Sequence, residues 1–285
     1  MNILVTPCEK YLKYLINLLF SLKKYNDDIT VYILYMNISE RKMRRFINKV
    51  KEEVGCDCLT IKVDKEICKG LPIHINRITP ETYLRLFAPF YLPNDLERIL
   101  YIDVDVIAQK EIKELYYQDF EGKSLVVIPR MHGTNTEDNK RIGVDENHKY
   151  FNAGILLMNL NKLRKNPSIE DILDVIDKKR DWLILQDQDV LNILFEKDVK
   201  YASKKYNYQL SFITDFNMEE VNGAYLLHYQ GSEKPWRIKC INESSTAYWE
   251  IMKERGYVIR PKVVYGLNKI YSSIRKIYFK IRWKE

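Results

Sequence analysis

Long apolar runs are missing from this sequence of 285 residues. Nowhere do about 20 uninterrupted apolar residues occur, the length a helix needs to cross a bilayer. With 10 glycines and 9 prolines, the chain is neither collagen-like nor dominated by linkers. The start, Met1-Asn2-Ile3-Leu4-Val5-Thr6, meets Glu9 and Lys10 at once. A secretory leader needs a basic opening and a longer apolar stretch, so none is expected. The five cysteines, at 8, 56, 58, 68 and 240, are odd in number and scattered, unlike a disulfide framework. Cys56-x-Cys58 has no neighbouring His to complete a metal site. Also absent are G-x-G-x-x-G after a strand, G-x-x-x-x-G-K-[ST], H-E-x-x-H, G-x-S-x-G and paired C-x-x-C. Dehydrogenase, P-loop ATPase, zinc-protease and common hydrolase chemistries thereby lose their main support. The expectation is a soluble, cytoplasmic protein.

What is present is an apolar fraction of 46% and a charged fraction of 30%, enough for a real core. The abundance of Lys, Ile, Asn and Tyr is that of AT-rich coding and a bacterial source. The net charge of +7 comes from 46 basic and 39 acidic residues. Eight of the basic and one of the acidic lie at or beyond Arg260, which leaves 38 of each in residues 1–259. A nucleic-acid-binding body would spread its basic footprint over a folded face. Here the body is neutral and the tail basic, so no nucleic-acid partner is expected. Within Val263–Trp283, Tyr265, Leu267, Ile270, Tyr271, Ile274, Ile277, Tyr278, Ile281 and Trp283 recur at threes and fours among Lys269, Arg275, Lys276, Lys280 and Arg282, with Lys284 just beyond. That is the profile of a basic interfacial helix, which would hold the protein at the inner face of the cell membrane through anionic lipid. A helix packed on the body with a solvated basic face has the same pattern.

Short apolar runs alternate with amphipathic stretches along the body. Asn2–Thr6, Ile29–Tyr35 and Leu59–Val63 read as strands, separated by a helix carrying Leu15, Leu18, Leu19 and Leu22 and by a charged helix over Ser39–Glu53. This order implies a parallel sheet with helices on both faces. Thr79-Pro80-Glu81 opens a further helix through capping Thr and first-turn Pro. Arg98–Ile102, Ser124–Pro129, Ala153–Asn159 and Tyr225–Tyr229 are later strands, with helices near Ile169–Lys179 and Asp187–Phe195. No repeat or composition break divides the chain before about residue 240. The reading is one α/β domain over 1–240 and a basic helical tail over 241–285.

Arg98-Ile99-Leu100-Tyr101-Ile102-Asp103-Val104-Asp105 ends a buried-type strand with two carboxylates at i and i+2. In extended chain these side chains point the same way. At the carboxyl end of a parallel strand they face the crevice where α/β sheets bind ligands. Paired oxygens suit a hard divalent cation that also takes diphosphate oxygens. An isolated pair of this kind is also an ordinary strand-end turn. His228 ends another apolar run, followed by Gly231, which lets backbone approach a ligand, and Lys234, a point charge suited to phosphate. Alone, such a His is as readily structural, and His74, His132 and His148 lack even that setting. Small residues open the Phe151–Asn159 run, with Asn152 free to bond sugar hydroxyls. Gln186-Asp187-Gln188-Asp189 puts acids in a first helical turn, which the dipole favours for capping alone. Arg85 on its helix has the look of a surface residue.

Taken together, these segments resemble the retaining family 8 glycosyltransferases, the group of bacterial lipopolysaccharide hexosyltransferases and glycogenin. The likeness runs from Ile3 to about Trp236. It rests on Ile78-Thr79-x-Glu81-Thr82-Tyr83-x-Arg85, Leu100 to Asp105, Tyr150-Phe151-Asn152-Ala153-Gly154, Gln186 to Asp189, and His228-Tyr229-x-Gly231-x-x-Lys234-Pro235-Trp236.

The resemblance implies a GT-A type, Rossmann-like fold with a mixed, mostly parallel sheet. It implies a UDP-hexose donor, galactose or glucose, and a saccharide or glycolipid acceptor in surface-glycan synthesis. Asp103, Asp105 and His228 would ligate Mn²⁺, which mixed carboxylate and imidazole donors favour over Mg²⁺. Gly231 and Lys234 would hold the diphosphate. Arg85, Asn152, Gly154, Asp187 and Gln188 would contact the sugar, with Val104 and Ala153 lining the same site. Gln188 and Asp187 would act at the anomeric carbon, Gln188 stabilising cationic character there while the acceptor attacks from the leaving-group face. Thr6, Cys8 and Tyr11 fall at the nucleoside position. There the family often has Ala-Asp-x-Asn-Tyr, and this chain has Pro7-Cys8-Glu9-Lys10-Tyr11. Arg130 stands where close relatives carry an Asp, a change that should alter which sugar or acceptor fits. The altered loop also leaves room for a non-catalytic nucleotide-sugar-binding protein of the same fold. A nucleotidyltransferase would need a Gly-rich basic loop near the N-terminus, which is absent.

Overall fold

Ile3, Leu4 and Val5 are all buried, as are Ile99 through Ile102. Strands apolar on both faces belong in the middle of a sheet covered twice. The computed structural model describes residues 1–257, apart from 76–77, 134, 211–215, 233 and 238–242, together with Ile270. The strand β1 (Asn2–Val5) leads to α1 (Leu12–Tyr25), β2 (Thr30–Tyr35), α2 (Glu40–Glu53) and β3 (Asp57–Lys62). A 3-10 turn over Pro80–Tyr83 runs into α3 (Leu84–Tyr91), then β4 (Arg98–Ile102), β5 (Val106–Ala108), α4 (Lys113–Tyr116) and β6 (Leu125–Pro129). Next come α5 (Asn135–Ile142), β7 (Phe151–Asn159), α6 (Leu160–Leu163), α7 (Ile169–Lys178) and α8 (Asp187–Leu194). The described elements end with β8 (Val199–Tyr201), β9 (Tyr208–Leu210), α9 (Met218–Gly223), β10 (Leu226–Tyr229) and α10 (Thr246–Glu254).

Seven strands form one sheet in the order β3-β2-β1-β4-β7-β6-β8. Only β7 runs against its neighbours, so the sheet is mixed and mostly parallel, as expected. Side chains on its two faces enter separate cores. Ile3, Val5, Val31 and Leu100 meet Leu15 and Leu19 of α1 and Phe46 of α2. Leu4, Leu34, Ile99 and Tyr101 meet Leu84 and Phe87 of α3, Ile172 of α7 and Leu191 of α8. Ser39 caps α2 through Lys42 N–H at 3.4 Å, and Thr79 with Pro80 starts the helical turn before α3. Both starts follow from the sequence.

A second sheet, in the order β5-β10-β9, carries a third core with Tyr248 and Trp249 of α10. It positions the site: β10 pairs antiparallel with β5, setting His228 opposite Val106. The Asp103–Asp105 segment is the bend between β4 in the large sheet and β5 in the small one. The two carboxylates therefore converge across a turn closed by Val106 N–H on Asp103 O at 3.3 Å, where extended chain was expected. α10 packs on α1, with Asn17 Nδ2 donating to Tyr248 Oη at 2.6 Å. From residue 258 onward, Ile270 apart, the expected basic tail and its membrane association lie outside the described residues. Among the described residues no helix is long and apolar enough to cross a membrane.

Candidate active site

The carboxyl ends of β1 and β4, the start of β7, the start of α8 and the loop after β10 surround one cleft of about 390 Å³. Thr6, Cys8, Tyr11, Arg85, Asp103, Val104, Asp105, Asn152, Ala153, Gly154, Asp187, Gln188, Gly231 and Lys234 all line it. His228 stands behind the carboxylates, with Nε2 3.3 Å from Asp105 Oδ1 and 3.8 Å from Asp103 Oδ2. One ligand atom from each of the three lies within 4.8 Å of the others.

The tautomer of His228 follows from a chain of hydrogen bonds. Gly154 N–H donates to Asn152 Oδ1 at 3.0 Å, and the backbone N–H admits no other polarity. Asn207 Nδ2 donates to the same oxygen at 2.8 Å, which turns Asn207 Oδ1 to His228 Nδ1 at 3.0 Å. Nδ1 must then carry a proton, which leaves Nε2, facing the two carboxylates, as the ring nitrogen placed to ligate a metal. An imidazole so oriented with two carboxylates is a fitting donor set for a borderline divalent cation such as Mn²⁺. Burial pushes the Asp105 carboxyl upward, but Lys234 and His228 outweigh it and hold the group well below the usual range.

Gly154 is required by space. A Cβ there would lie 2.7 Å from His228 Nδ1 and 2.9 Å from Asn152 Oδ1, with Cε1 closer still. Gly154→Ala is expected to displace His228 and to cut activity by about 10²-fold, with roughly 1–3 kcal/mol lost in stability from overpacking. Kinetics over a range of Mn²⁺ concentration, with urea unfolding alongside, check this. Gly231 has φ +79°, a left-handed conformation natural to glycine, and sets the turn that leads to Lys234. Lys234 Nζ bonds Asp105 Oδ2 and donates to Tyr229 O at 2.7 Å.

Arg85, which its local pattern reads as a surface residue and the resemblance assigns to the donor sugar, lies buried in the cleft. It is 3% exposed, with one guanidinium nitrogen 2.9 Å from Asp103 Oδ1, another 3.0 Å from Asp187 Oδ2, and a third donating to Ala153 O at 2.5 Å. Its plane lies over the Tyr101 ring at 4.2 Å, and Tyr101 Oη donates to Asp103 at 2.5 Å. Burial pushes the Asp187 carboxyl up to about 6, Arg85 opposing this and Asp103 adding to it. Gln188 Oε1 accepts from Asn152 Nδ2 at 2.9 Å and from Ala153 N–H at 3.0 Å. Asp189 is fully buried against Arg141, at 2.8 Å, and Tyr150 Oη, at 2.6 Å. It anchors the turn that presents Asp187 and Gln188.

Some of the machinery escaped sequence reasoning. Asn207, which orients His228, carries no local signal. Tyr101 had one: a phenol inside an otherwise apolar strand needs a partner. His132 lines the cleft, its Nε2 2.8 Å from Gln209 O. His74 and His148 are structural, bonded to Arg180 O at 2.8 Å and Asn192 Oδ1 at 2.9 Å. Arg130 reaches the cleft, but its charge is matched by Asp138 at 2.7 Å.

The family model for glycosyl transferase family 8 matches residues 2–240. A candidate glycosyltransferase of Haemophilus influenzae is 29% identical over the whole chain, which spans 86% of that protein. Glycosyltransferase GlyF of Streptococcus pneumoniae is 26% identical over 87% of the chain, which spans 60% of that longer relative. Lipopolysaccharide 1,2-glucosyltransferase of Escherichia coli is 28% identical over 61% of the chain, which covers 54% of that enzyme. Among solved structures, galactosyltransferase LgtC in complex with donor and acceptor sugar analogues superposes with a TM-score of 0.79 at 26% identity. That match covers 91% of this chain and 98% of LgtC.

Proposed function

The chain belongs to glycosyl transferase family 8, and from that premise we propose that it is a metal-dependent, retaining hexosyltransferase. It takes galactose or glucose from a UDP-sugar and adds it to a saccharide or glycolipid acceptor in surface-glycan synthesis. The observation that carries this reading is the convergence of Asp103, Asp105 and Nε2 of His228 beside a cleft that also holds Lys234. The relatives' names, a galactosyltransferase and a lipopolysaccharide glucosyltransferase, support the choice of sugar and acceptor.

Asp103, Asp105 and His228 would hold Mn²⁺, which when bound neutralises charge on the departing diphosphate. Lys234, ion-paired to Asp105, adds a second positive charge where the diphosphate leaves. Neither group near the sugar side is free to act as a nucleophile. Both acceptor positions of Gln188 Oε1 are engaged, and Asp187 is bound to Arg85. Same-face attack fits this arrangement. The acceptor oxygen bonds to the anomeric carbon as the carbon–phosphate-oxygen bond breaks, and the hydroxyl proton passes to the departing phosphate. Gln188, pinned beside this point, stabilises the cationic carbon with its amide dipole. Tyr11, with Thr6 and Cys8, forms the wall nearest the nucleoside end.

The test is thermal. UDP with Mn²⁺ is expected to raise the melting temperature through preferential binding to the native state, and UDP with EDTA to raise it far less. At 100-fold excess over Kd the gain is about 2.7 kcal/mol. GDP or CDP stabilising equally well would remove the uridine assignment. A panel of UDP-sugars read by mass spectrometry then names the donor.

A further inference from the structure

The cleft just described opens onto a second one of about 320 Å³, which shares Tyr11, Gly231 and Lys234 with it. Lys10, Lys13 and Arg237 supply its other charges, and Tyr14 and Trp236 its aromatic wall. The two rings are stacked, with centroids 3.9 Å apart and planes 14° from parallel. Lys10 and Lys13 ammoniums lie 5.4 Å and 4.8 Å from the Tyr11 and Tyr14 ring centres. Among the described residues that line it, none is acidic.

Two features make this concentration of charge unusual. The body of the chain is neutral overall, yet among the described residues Lys10, Lys13 and Arg237 have no carboxylate partner. Glu9, next to Lys10 in sequence, is paired instead with Lys42 at 2.6 Å. The first turn of α1 also lies here, with no acid or side-chain cap of its own, continuing from a 3-10 turn over Glu9–Tyr11. Lys13 in that turn is the reverse of what a helix dipole favours, so the positive end of the helix adds to the ammoniums. Unpaired like charges at one concave site repel, and a bound anion relieves that repulsion. An Arg fork beside Lys point charges matches phosphate oxygens, and a flat aromatic wall suits the apolar face of an attached ring.

We propose that this second cleft binds a phosphate group carried by the acceptor, next to the donor diphosphate. The identity of the ligand as an acceptor rests on the transferase reading, whereas the anion site itself does not. The phosphate could come from a lipid headgroup or from a soluble phosphorylated saccharide, and two arms separate these.

Calorimetric titration of the full chain, with saturating UDP and Mn²⁺ filling the first cleft, uses glucose 1-phosphate as probe and glucose as control. Saturable binding of the phosphate sugar alone is expected, weakened at least tenfold in Lys13→Gln/Arg237→Gln. Both positions are exposed, so the fold should persist, and the UDP-induced rise in melting temperature should be unchanged. In the second arm, sedimentation with phosphatidylglycerol–phosphatidylcholine vesicles is compared with pure phosphatidylcholine. Pelleting that depends on Lys13 and Arg237 assigns the phosphate to lipid. A glucose 1-phosphate response with pelleting indifferent to the variant assigns it to a soluble saccharide. Equal behaviour of wild type and variant in both arms overturns the site. A protein that fails to bind UDP but still binds glucose 1-phosphate and not glucose would instead overturn the transferase reading alone.

Discussion

Exchanging Asp105 for asparagine is expected to lower kcat/KM by about 10²- to 10⁴-fold, or roughly 3–5 kcal/mol of transition-state stabilisation. The carboxylate faces His228 Nε2 at 3.3 Å through one oxygen and Lys234 through the other. Asparagine keeps the shape but removes the charge and offers only one ligand oxygen. It also leaves Lys234, 8% exposed, without its carboxylate. Asp103→Asn should have a comparable effect, since Asp103 faces the same imidazole while Tyr101 and Arg85 hold its other oxygen. UDP release measured with several UDP-sugars, over a range of Mn²⁺, checks both. Full turnover of either variant in EDTA would remove the metal assignment.

Arg85→Met should be the most destabilising single substitution at the site, by about 3–5 kcal/mol, because it strands two carboxylates that share one buried cation. Methionine fills most of the space, so the deficit reports charge more than cavity. Its pH dependence has a definite sign. The folded-state value of Asp187 is already raised to about 6 from an ordinary 3.8. A raised carboxyl contributes stability that is full below its unfolded value and lost as pH rises through its folded value. Without Arg85 that value rises further, so the variant's deficit should be smaller near pH 5 than near pH 8. Urea unfolding at the two pH values measures it. Adding Asp187→Asn to Arg85→Met should restore part of the loss at pH 8 by removing the stranded charge. A deficit independent of pH would show that Arg85 acts through packing alone.

Much of this site is legible along the chain because its parts sit at ends of strongly patterned elements. Arg98–Ile102 could only be a strand buried on both faces, and a strand that ends in Asp-x-Asp places carboxylates at a sheet's ligand-binding edge. The starts at Ser39 and Thr79-Pro80 obey local capping chemistry and appear where expected. Arg85 was legible only through the resemblance, and its local pattern pointed elsewhere for an equally physical reason. An Arg among Leu, Phe and Tyr on a short helix looks solvent-directed until two carboxylates from distant segments, Asp103 and Asp187, are known to meet it.

The small sheet was the least legible part of the fold. β5 and β9 have three residues each, too few for a period of two to show. Their pairing depends on partners far away in sequence. Asn207 has no role that its neighbours reveal, yet it sets the tautomer of His228 from β9's approach to β10. The same holds for the second cleft, where Lys10, Lys13 and Arg237 come together only because α1 and the loop after β10 pack side by side.

Composition, apolar periodicity and strand-end chemistry thus determined that the chain is an α/β protein with a carboxylate pair at its ligand edge. Those properties are local, written within a few residues of one another. Tertiary structure decided that the imidazole of His228, named beforehand only by the resemblance, faces that pair, which of its ring nitrogens is tied to Asn207, and which of the described cations stand without acids. Each of these is a matter of distances between side chains that share no local pattern, and only the packing of two sheets across one bend brings them within reach.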